Sequence, residues 1–170
     1  LDFLPMGKAA DKRPEPTVQG IGETYFSLLE VVVRKDAQIK PKDRLYIGAG
    51  KRDVVEYIKR RISYEELTSL AKNILEEVVS EIVMRNENRF VSFFNLASPL
   101  STRMHSLELL PGLGKKHLLN ILQERKKKPF ESFEDLKKRI EMIPDPKKMI
   151  VKRILHEIQS KEERHKLFVA

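Results

Sequence analysis

Cysteine and tryptophan are missing altogether from the 170 residues, and glycine is sparse at seven. Without cysteine there is no disulfide framework, no thiolate nucleophile and no cysteine-ligated zinc or iron–sulfur cluster. No run approaches the ~18 apolar residues of a membrane-spanning helix, and no secretory leader is visible. The expectation is a cytoplasmic protein with no membrane partner. The four histidines, His105, His117, His156 and His165, lack metal-ligand spacing, and no Gly-x-x-x-x-Gly-Lys-Ser/Thr loop is present. A bound metal, a cofactor and nucleotide hydrolysis are accordingly not expected.

Positive charge is what the chain does have, and it is unevenly spread. Lys and Arg number 33 against 25 Asp and Glu, a net of +8. Residues 101–170 hold 17 basic and 10 acidic side chains, a net of +7, which leaves the first hundred residues nearly neutral. A local positive field of this kind suits a polyanion, so the partner expected is nucleic acid, RNA or DNA.

Hydrophobic patterning divides the chain. Residues 1–16 contain Pro5, Gly7, Pro14 and Pro16 among charges and read as an extended N-terminal arm. Val18 to Ile21, the β-rich run Tyr25 to Val33, Arg44 to Ile47 and Asp53 to Ile62 are strand candidates separated by turn signals. Several short strands within residues 17–62 predict a small, partly closed barrel. After Ser63 the period changes to that of helices: Leu67, Leu70, Ala71, Ile74, Val78, Ile82 and Val83 recur at three- and four-residue steps. Arg89 to Leu96 continues as a second helix, with Phe90, Phe93 and Phe94 as core. Residues 63–98 thus connect the barrel to an all-α domain over 99–160, followed by a tail over 161–170. The fold class expected is α+β.

The helical domain carries an internal repeat. Leu107 to Lys116 can be laid on Ile140 to Met149 at an offset of 33 residues, each copy giving an apolar helix end, a proline-bearing turn and a basic amphipathic helix. Thr102 to Leu110 with Lys115 to Lys127 form the first pair, and Phe133 to Ile143 with Lys147 to Ser160 the second. Ser132 and Asp135 fit the capping box of the connecting helix. In the first copy Gly112 and Gly114 allow positive φ and a close backbone approach. Leu113 between them points inward, and the next helix starts with amides that lack intrahelical partners. Those amides and the helix dipole make an anion site for phosphate. Lys115, Lys116 and His117 surround it, Arg125 and Lys126 extend the basic surface, and Lys147, Lys148, Lys152 and Arg153 of the second copy add charge. Contacts of this type hold a backbone without reading bases, so binding is expected to be sequence-independent and salt-dependent.

Leu109-Leu110-Pro111-Gly112-Leu113-Gly114-Lys115-Lys116, with Leu118, Leu119 and Leu122 behind it, resembles the helix-hairpin-helix motif of many DNA-repair and recombination proteins. The duplication is similar to their paired domain, in which one copy is often degenerate. Over its length the chain resembles the archaeal DUF655 family, through Leu1-Asp2-Phe3-Leu4-Pro5, Lys51-Arg52-Asp53, Tyr57-Ile58-Lys59, Arg61 to Leu67 and Leu107 to Lys116. That resemblance implies an uncharacterised, predicted nucleic-acid-binding protein with an OB-like N-terminal barrel and a helix-hairpin-helix C-terminal domain. OB-like barrels commonly bind single strands with aromatic side chains and flanking loops. Tyr25, Phe26, Tyr46 and Tyr57, with Arg34, Lys40, Lys42, Arg44, Lys51 and Arg52, are the corresponding candidates, the aromatics being equally compatible with a barrel core.

Two other function classes fit parts of the pattern. Lys116 occupies the position matching the catalytic lysine of helix-hairpin-helix glycosylases, which form a Schiff base with an abasic sugar. Asp135 lies at roughly the matching distance, but its surroundings, Ser-Phe-Glu-Asp-Leu-Lys, differ from the Val-Asp-Thr-His segment of those enzymes. Paired helical hairpins also serve as protein-docking adaptors. The expectation is nevertheless a non-enzymatic nucleic-acid-binding protein with no catalytic residue.

Overall fold

In the computed structural model, which describes all 170 residues, the apolar run Leu28–Val33 is an inner strand of a four-stranded antiparallel sheet. Strands β1 (Asp2–Leu4), β2 (Thr17–Ile21), β3 (Leu28–Val33) and β4 (Val55–Arg61) lie in sequence order, each hydrogen-bonded to its neighbour. Phe3 stands opposite Val18, and Val18 opposite Val31. Between β3 and β4 the register shifts at Glu30/Val31 and again at Val32/Val33, irregularities of the kind that sharpen local twist. The sheet is open, with β1 and β4 as its edges, so the expected barrel is not closed.

Three local expectations change. Asp2–Leu4 is an edge strand rather than part of a free arm. Arg44 to Ile47 is not a strand: Leu45 and Ile47, with Ala37 and Ile39, pack against the cluster Val18, Val31, Val33 and Val55. The segment thus buries apolar side chains on a sheet without lending it backbone. The third strand starts at Leu28 and not Tyr25, because Gly22 to Ser27 closes a tight loop. There the Gly22 N–H donates to Ser27 O (2.9 Å) and the Phe26 N–H to Gly22 O (3.0 Å). Phe26 takes a φ of 55° in that loop and is completely buried; burial of its ring offsets the strain of a left-handed backbone.

Buried polar groups tie the sheet to the start of the first helix. Gln19 is fully buried; its Nε2 donates to Glu66 O (3.0 Å) and its Oε1 accepts from the Thr68 N–H (2.9 Å). Thr68 Oγ1 in turn donates to Asp2 Oδ2 (2.6 Å) and accepts the Ala71 N–H (3.1 Å), satisfying an amide at the start of α1 (Ser69–Arg85). The buried carboxylate of Glu30 is neutralised by Lys8 and Arg60.

The chain forms two compact units that divide inside α1. One comprises Leu1–Val78 with Ile158–Lys161 and Phe168–Ala170, the other Val79–Glu157 with Glu162–Leu167. In the first, Phe168 is buried and the Ala170 N–H donates to Tyr25 O (3.1 Å). Along α1 the buried stripe is Ala71, Leu75, Val79, Ile82 and Val83, one position on from the expected Leu70, Ile74 and Val78; Leu70 is exposed. In the second unit α2 (Glu87–Leu96) buries Phe90 and Phe94, as expected of core aromatics, while Phe93 is only half-buried.

The expected helix over Thr102 to Leu110 is a single 3-10 turn, Ser106–Leu109. His105 stops it from extending towards its N-terminus: Nδ1 accepts the Leu107 N–H (3.1 Å), while Glu108 Oε2 accepts the His105 N–H (2.7 Å). Helix α3 occupies Lys115–Lys127, the expected span. Helix α4 (Phe133–Arg139) starts at Ser132, whose Oγ accepts the Asp135 N–H (2.9 Å), and ends short of the expected Ile143. Helix α5 runs Pro146–Gln159. Leu107, Leu110, Ile121, Leu136, Ile140, Ile150 and Ile154 form the fully buried core among these elements.

These buried polar groups lend themselves to two tests. Gln19→Leu strands the Glu66 carbonyl and the Thr68 amide and is expected to cost about 2–4 kcal/mol, read as a lower urea midpoint. Burial first, and Arg125 second, hold the His105 imidazole below its usual value, against the opposing pull of Glu108. The folded chain therefore favours neutral His105. Its contribution is complete above the ordinary value of 6.5 and is lost as pH falls through that value towards the depressed one. Thermal midpoints at about pH 7.5 and about pH 5 should differ less in His105→Gln than in the unaltered protein; an equal difference refutes the assignment.

Candidate nucleic-acid interface

Each copy of the sequence repeat has a turn before its basic helix, but the register of the turns is not the one the prolines give. In each copy a β-turn precedes the basic helix: the Leu113 N–H donates to Leu110 O (3.2 Å), and the Ile143 N–H to Ile140 O (3.4 Å). The turns therefore match at an offset of 30 residues and the residues before the helices, Gly114 and Asp145, at 31, where the sequence alignment gives 33. An i to i+3 bond with a left-handed third residue fixes such a turn, whichever position carries proline. That third residue is Gly112 (φ 89°) in the first copy and Met142 (φ 59°) in the second. The two turns lie against one another: a Cβ on Gly112 would meet the Pro144 ring at 3.4 Å.

After the turns the copies diverge in the property that matters for anions. Helix α3 is preceded by Gly114, which has no side chain to cap it and, at φ −86°, does not use glycine's left-handed freedom. A Cβ at Gly114 would meet nothing closer than His117 Nδ1 at 3.9 Å, so what glycine leaves here is open surface. No protein group accepts the N–H groups of Lys115, Lys116 and His117, the first amides of the helix. Helix α5 is preceded by Asp145, whose Oδ1 accepts from the Lys147 N–H (3.0 Å) and the Lys148 N–H (3.4 Å). One helix start is open, and its counterpart is already filled by a carboxylate. The sequence holds the signal for this, since Asp before Pro at the first helical position is an N-cap pattern.

The remaining expected site residues separate into available and committed groups. Leu113 is buried beneath the turn, as expected. Lys115, Lys116 and Lys126 are exposed and make no ion pair, and the same holds for Lys148 and Lys152; Lys147 is half-buried and also unpaired. His117 does not face outward as a free donor: Nδ1 accepts the Gly114 N–H (3.2 Å) and so braces the turn. Arg125 is also committed, its Nη1 donating to Phe94 O (3.2 Å) and Ala97 O (2.9 Å) at the end of α2. Arg153 is buried in an ion pair with Glu157 (3.1 Å) and donates to His165 O (2.5 Å). Arg125 and Arg153 are therefore both engaged within the protein, and breaking the Arg153–Glu157 pair would leave a buried charge unpaired. A shallow hollow of about 380 Å³ beside the first turn is lined by Leu109, Pro111, Lys152, Arg153 and His156. Glu163, on His156 (2.9 Å), is held at about 2, chiefly by the His165 amide and then by His156.

Arg139 is a structural residue that the sequence pattern does not reveal. Its Nη2 donates to Glu124 O and Lys128 O (both 2.7 Å), closing the C-terminal carbonyls of α3, and its guanidinium lies 4.4 Å from the Phe130 ring centroid. Asp135, four residues earlier, accepts from Arg139 (3.2 Å) and from the Glu131 N–H (3.0 Å). Those bonds, led by the Glu131 amide, hold the Asp135 carboxyl below its usual range.

In the sheet unit Tyr25, Tyr46 and Tyr57 are all exposed, so none is core, whereas Phe26 is completely buried and is no base-stacking candidate. Tyr57 donates to Glu15 (2.9 Å) and Arg44 pairs with Glu23 (2.7 Å). Arg52 donates to Gly48 O (2.9 Å) and Ile47 O (3.0 Å), while Lys51 is exposed and unpaired. Tyr46 lies over Gly48, where a Cβ would run into its ring and hydroxyl, and that hydroxyl accepts the Gly50 N–H (3.1 Å).

Comparison with known proteins extends the sequence resemblance. The model of a family described as "Protein of unknown function (DUF655)" matches residues 1–170. An uncharacterized protein of Methanocaldococcus jannaschii is 46% identical over 170 residues, covering 99% of this chain and 77% of its own. A crystal structure of a protein from Archaeoglobus fulgidus, assigned to the same family, has 51% identity and a TM-score of 0.88. The match covers 99% of this chain and 96% of that one.

If Gly112 is required by its backbone, Gly112→Ala should cost about 1–2 kcal/mol, from left-handed strain. Gly114→Ala should cost less, since its φ suits any residue. Equal losses in thermal unfolding would show that the two glycines are not distinguished in this way.

Proposed function

The chain belongs to the DUF655 family, and from its geometry we propose that it is a non-enzymatic nucleic-acid-binding protein that holds the phosphate backbone at the start of α3. In this reading the two turns and their helices form a tandem helix-hairpin-helix domain. The observation that carries it is the contrast between the two helix starts. At α5 the carboxylate of Asp145 occupies the amides. At α3 the equivalent amides are open, Gly114 leaves room for a ligand, and Lys115 and Lys116 stand exposed beside them. An oxyanion at the second copy is provided by the protein; at the first it comes from a ligand. The surrounding excess of lysine favours a polyanion over an isolated anion, and a nucleic acid strand is a polyanion made of phosphates.

The open sheet with its 34–54 segment is read as an OB-like module for single-stranded or structured nucleic acid. Tyr46, exposed but held over Gly48 and Gly50, offers a fixed ring for a base to stack on, and Lys51 a nearby cation. No lyase step is proposed through Lys116: the carboxylate that such a step would recruit, Asp135, is bonded to Arg139 and Glu131.

Gly114→Asp transplants the plug of the second copy into the first. Aspartate is a favoured N-cap residue, so thermal stability should hold or rise. Affinity for labelled oligonucleotides, DNA and RNA, single- and double-stranded, should fall at least about tenfold. In the unaltered protein affinity should drop steeply between about 50 and 200 mM salt, and Lys115→Glu with Lys116→Glu should flatten that slope. Absence of binding at low salt, or a Gly114→Asp variant that binds like the parent, would overturn the proposal; absence would favour a protein-docking role.

A further inference from the structure

Three residues other than glycine adopt left-handed backbone: Phe26, Lys42 and Met142. Phe26 is completely buried, and Lys42 is paired with Glu77. Met142 has neither compensation. It is 85% exposed, more than any other large hydrophobic side chain in the protein. It also stands where the first copy of the repeat has Gly112, in a turn whose third position favours glycine. A strained, flexible, apolar side chain is thus held in water at the tip of the second turn.

Its neighbourhood points to what meets it. Pro144, two residues after Met142, lies beside Gly112, three residues before the first residue of α3, so the turn that carries Met142 neighbours the turn that leads to the open amides of α3. The second copy contributes no anion site of its own, because Asp145 fills its helix start. On a nucleic acid, the surface next to a phosphate is sugar and base edge, which is apolar at the base faces. We propose that Met142 is a wedge that presses into the base stack of a duplex beside the phosphate held at α3, so that the protein prefers duplexes whose stack is already interrupted. This rests on the phosphate-binding reading and adds to it a choice among targets. An apolar side chain opening a base step works against stacking, and that opposition is smallest at a gap or bulge. Methionine suits a wedge because its side chain is unbranched, flexible and polarizable.

The test uses the full chain and two fluorescently labelled DNA duplexes of equal length, one continuous and one with a single-nucleotide gap, together with their RNA counterparts. The parent protein should bind the gapped duplex about tenfold more tightly than the continuous one. Met142→Gly should bring that ratio to about one while preserving the salt slope, and should unfold at no lower temperature than the parent because it relieves the left-handed strain. Met142→Asn, polar but tolerant of the same backbone, should behave likewise, whereas Met142→Leu should keep the preference. Equal binding of both duplexes by the parent overturns the wedge alone, as does a preference that survives in Met142→Gly and Met142→Asn. No binding to any duplex at low salt overturns both the wedge and the phosphate reading.

Discussion

The close approach of two turns organises the helical unit. Gly112 lies beside the Pro144 ring, and its left-handed φ, which glycine adopts without strain, leads the chain into α3. That arrangement brings the two turns together, places Leu113 inward and leaves the first turn of α3 at the surface. Arginines fasten the periphery. Arg125 closes the end of α2, Arg139 the end of α3, and Arg153 the buried pair with Glu157. In a chain without cysteine, guanidinium groups on carbonyl and carboxylate oxygens take the place that covalent staples have elsewhere.

Much of the fold was legible because periodicity reports burial. The span Lys115 to Lys127 follows from a basic amphipathic pattern, and the observed helix has the same limits. Phe90 and Phe94, expected as core from their spacing, are buried. Illegible were elements whose state depends on distant partners. Asp2–Leu4 is a strand only because β2 offers an edge, and Leu45 and Ile47 show strand-like alternation while lying on a sheet they do not join. The helix expected before Pro111 fails at His105 and Glu108, whose side chains hold backbone amides locally.

The site was legible in its residues and less so in their engagements. Composition marks Arg125, His117 and Arg153 as available cations or donors, yet each is bonded within the protein. Charge counts cannot see this, because a guanidinium that closes a helix end and one that waits for a ligand contribute equally to net charge. The repeat register failed for a related reason. Prolines are conspicuous in sequence, but an i to i+3 bond defines the turn, and that bond is blind to which residue carries the ring. The feature that separates the two copies, Asp145 on the amides of α5, is one side chain in a chain whose two compared relatives are about half identical to it.

The sheet unit draws on three separated stretches of the chain, residues 1–78, 158–161 and 168–170, with the whole of the helical unit's main segment made in between. On a ribosome, then, β1 to β4 emerge first but Phe168 and the amide of Ala170 arrive only after α2 to α5. Completion of the earlier unit waits for the later one to be synthesised. The order of folding is nested rather than sequential, and the long closure it demands is an entropic toll that grows only logarithmically with the intervening length.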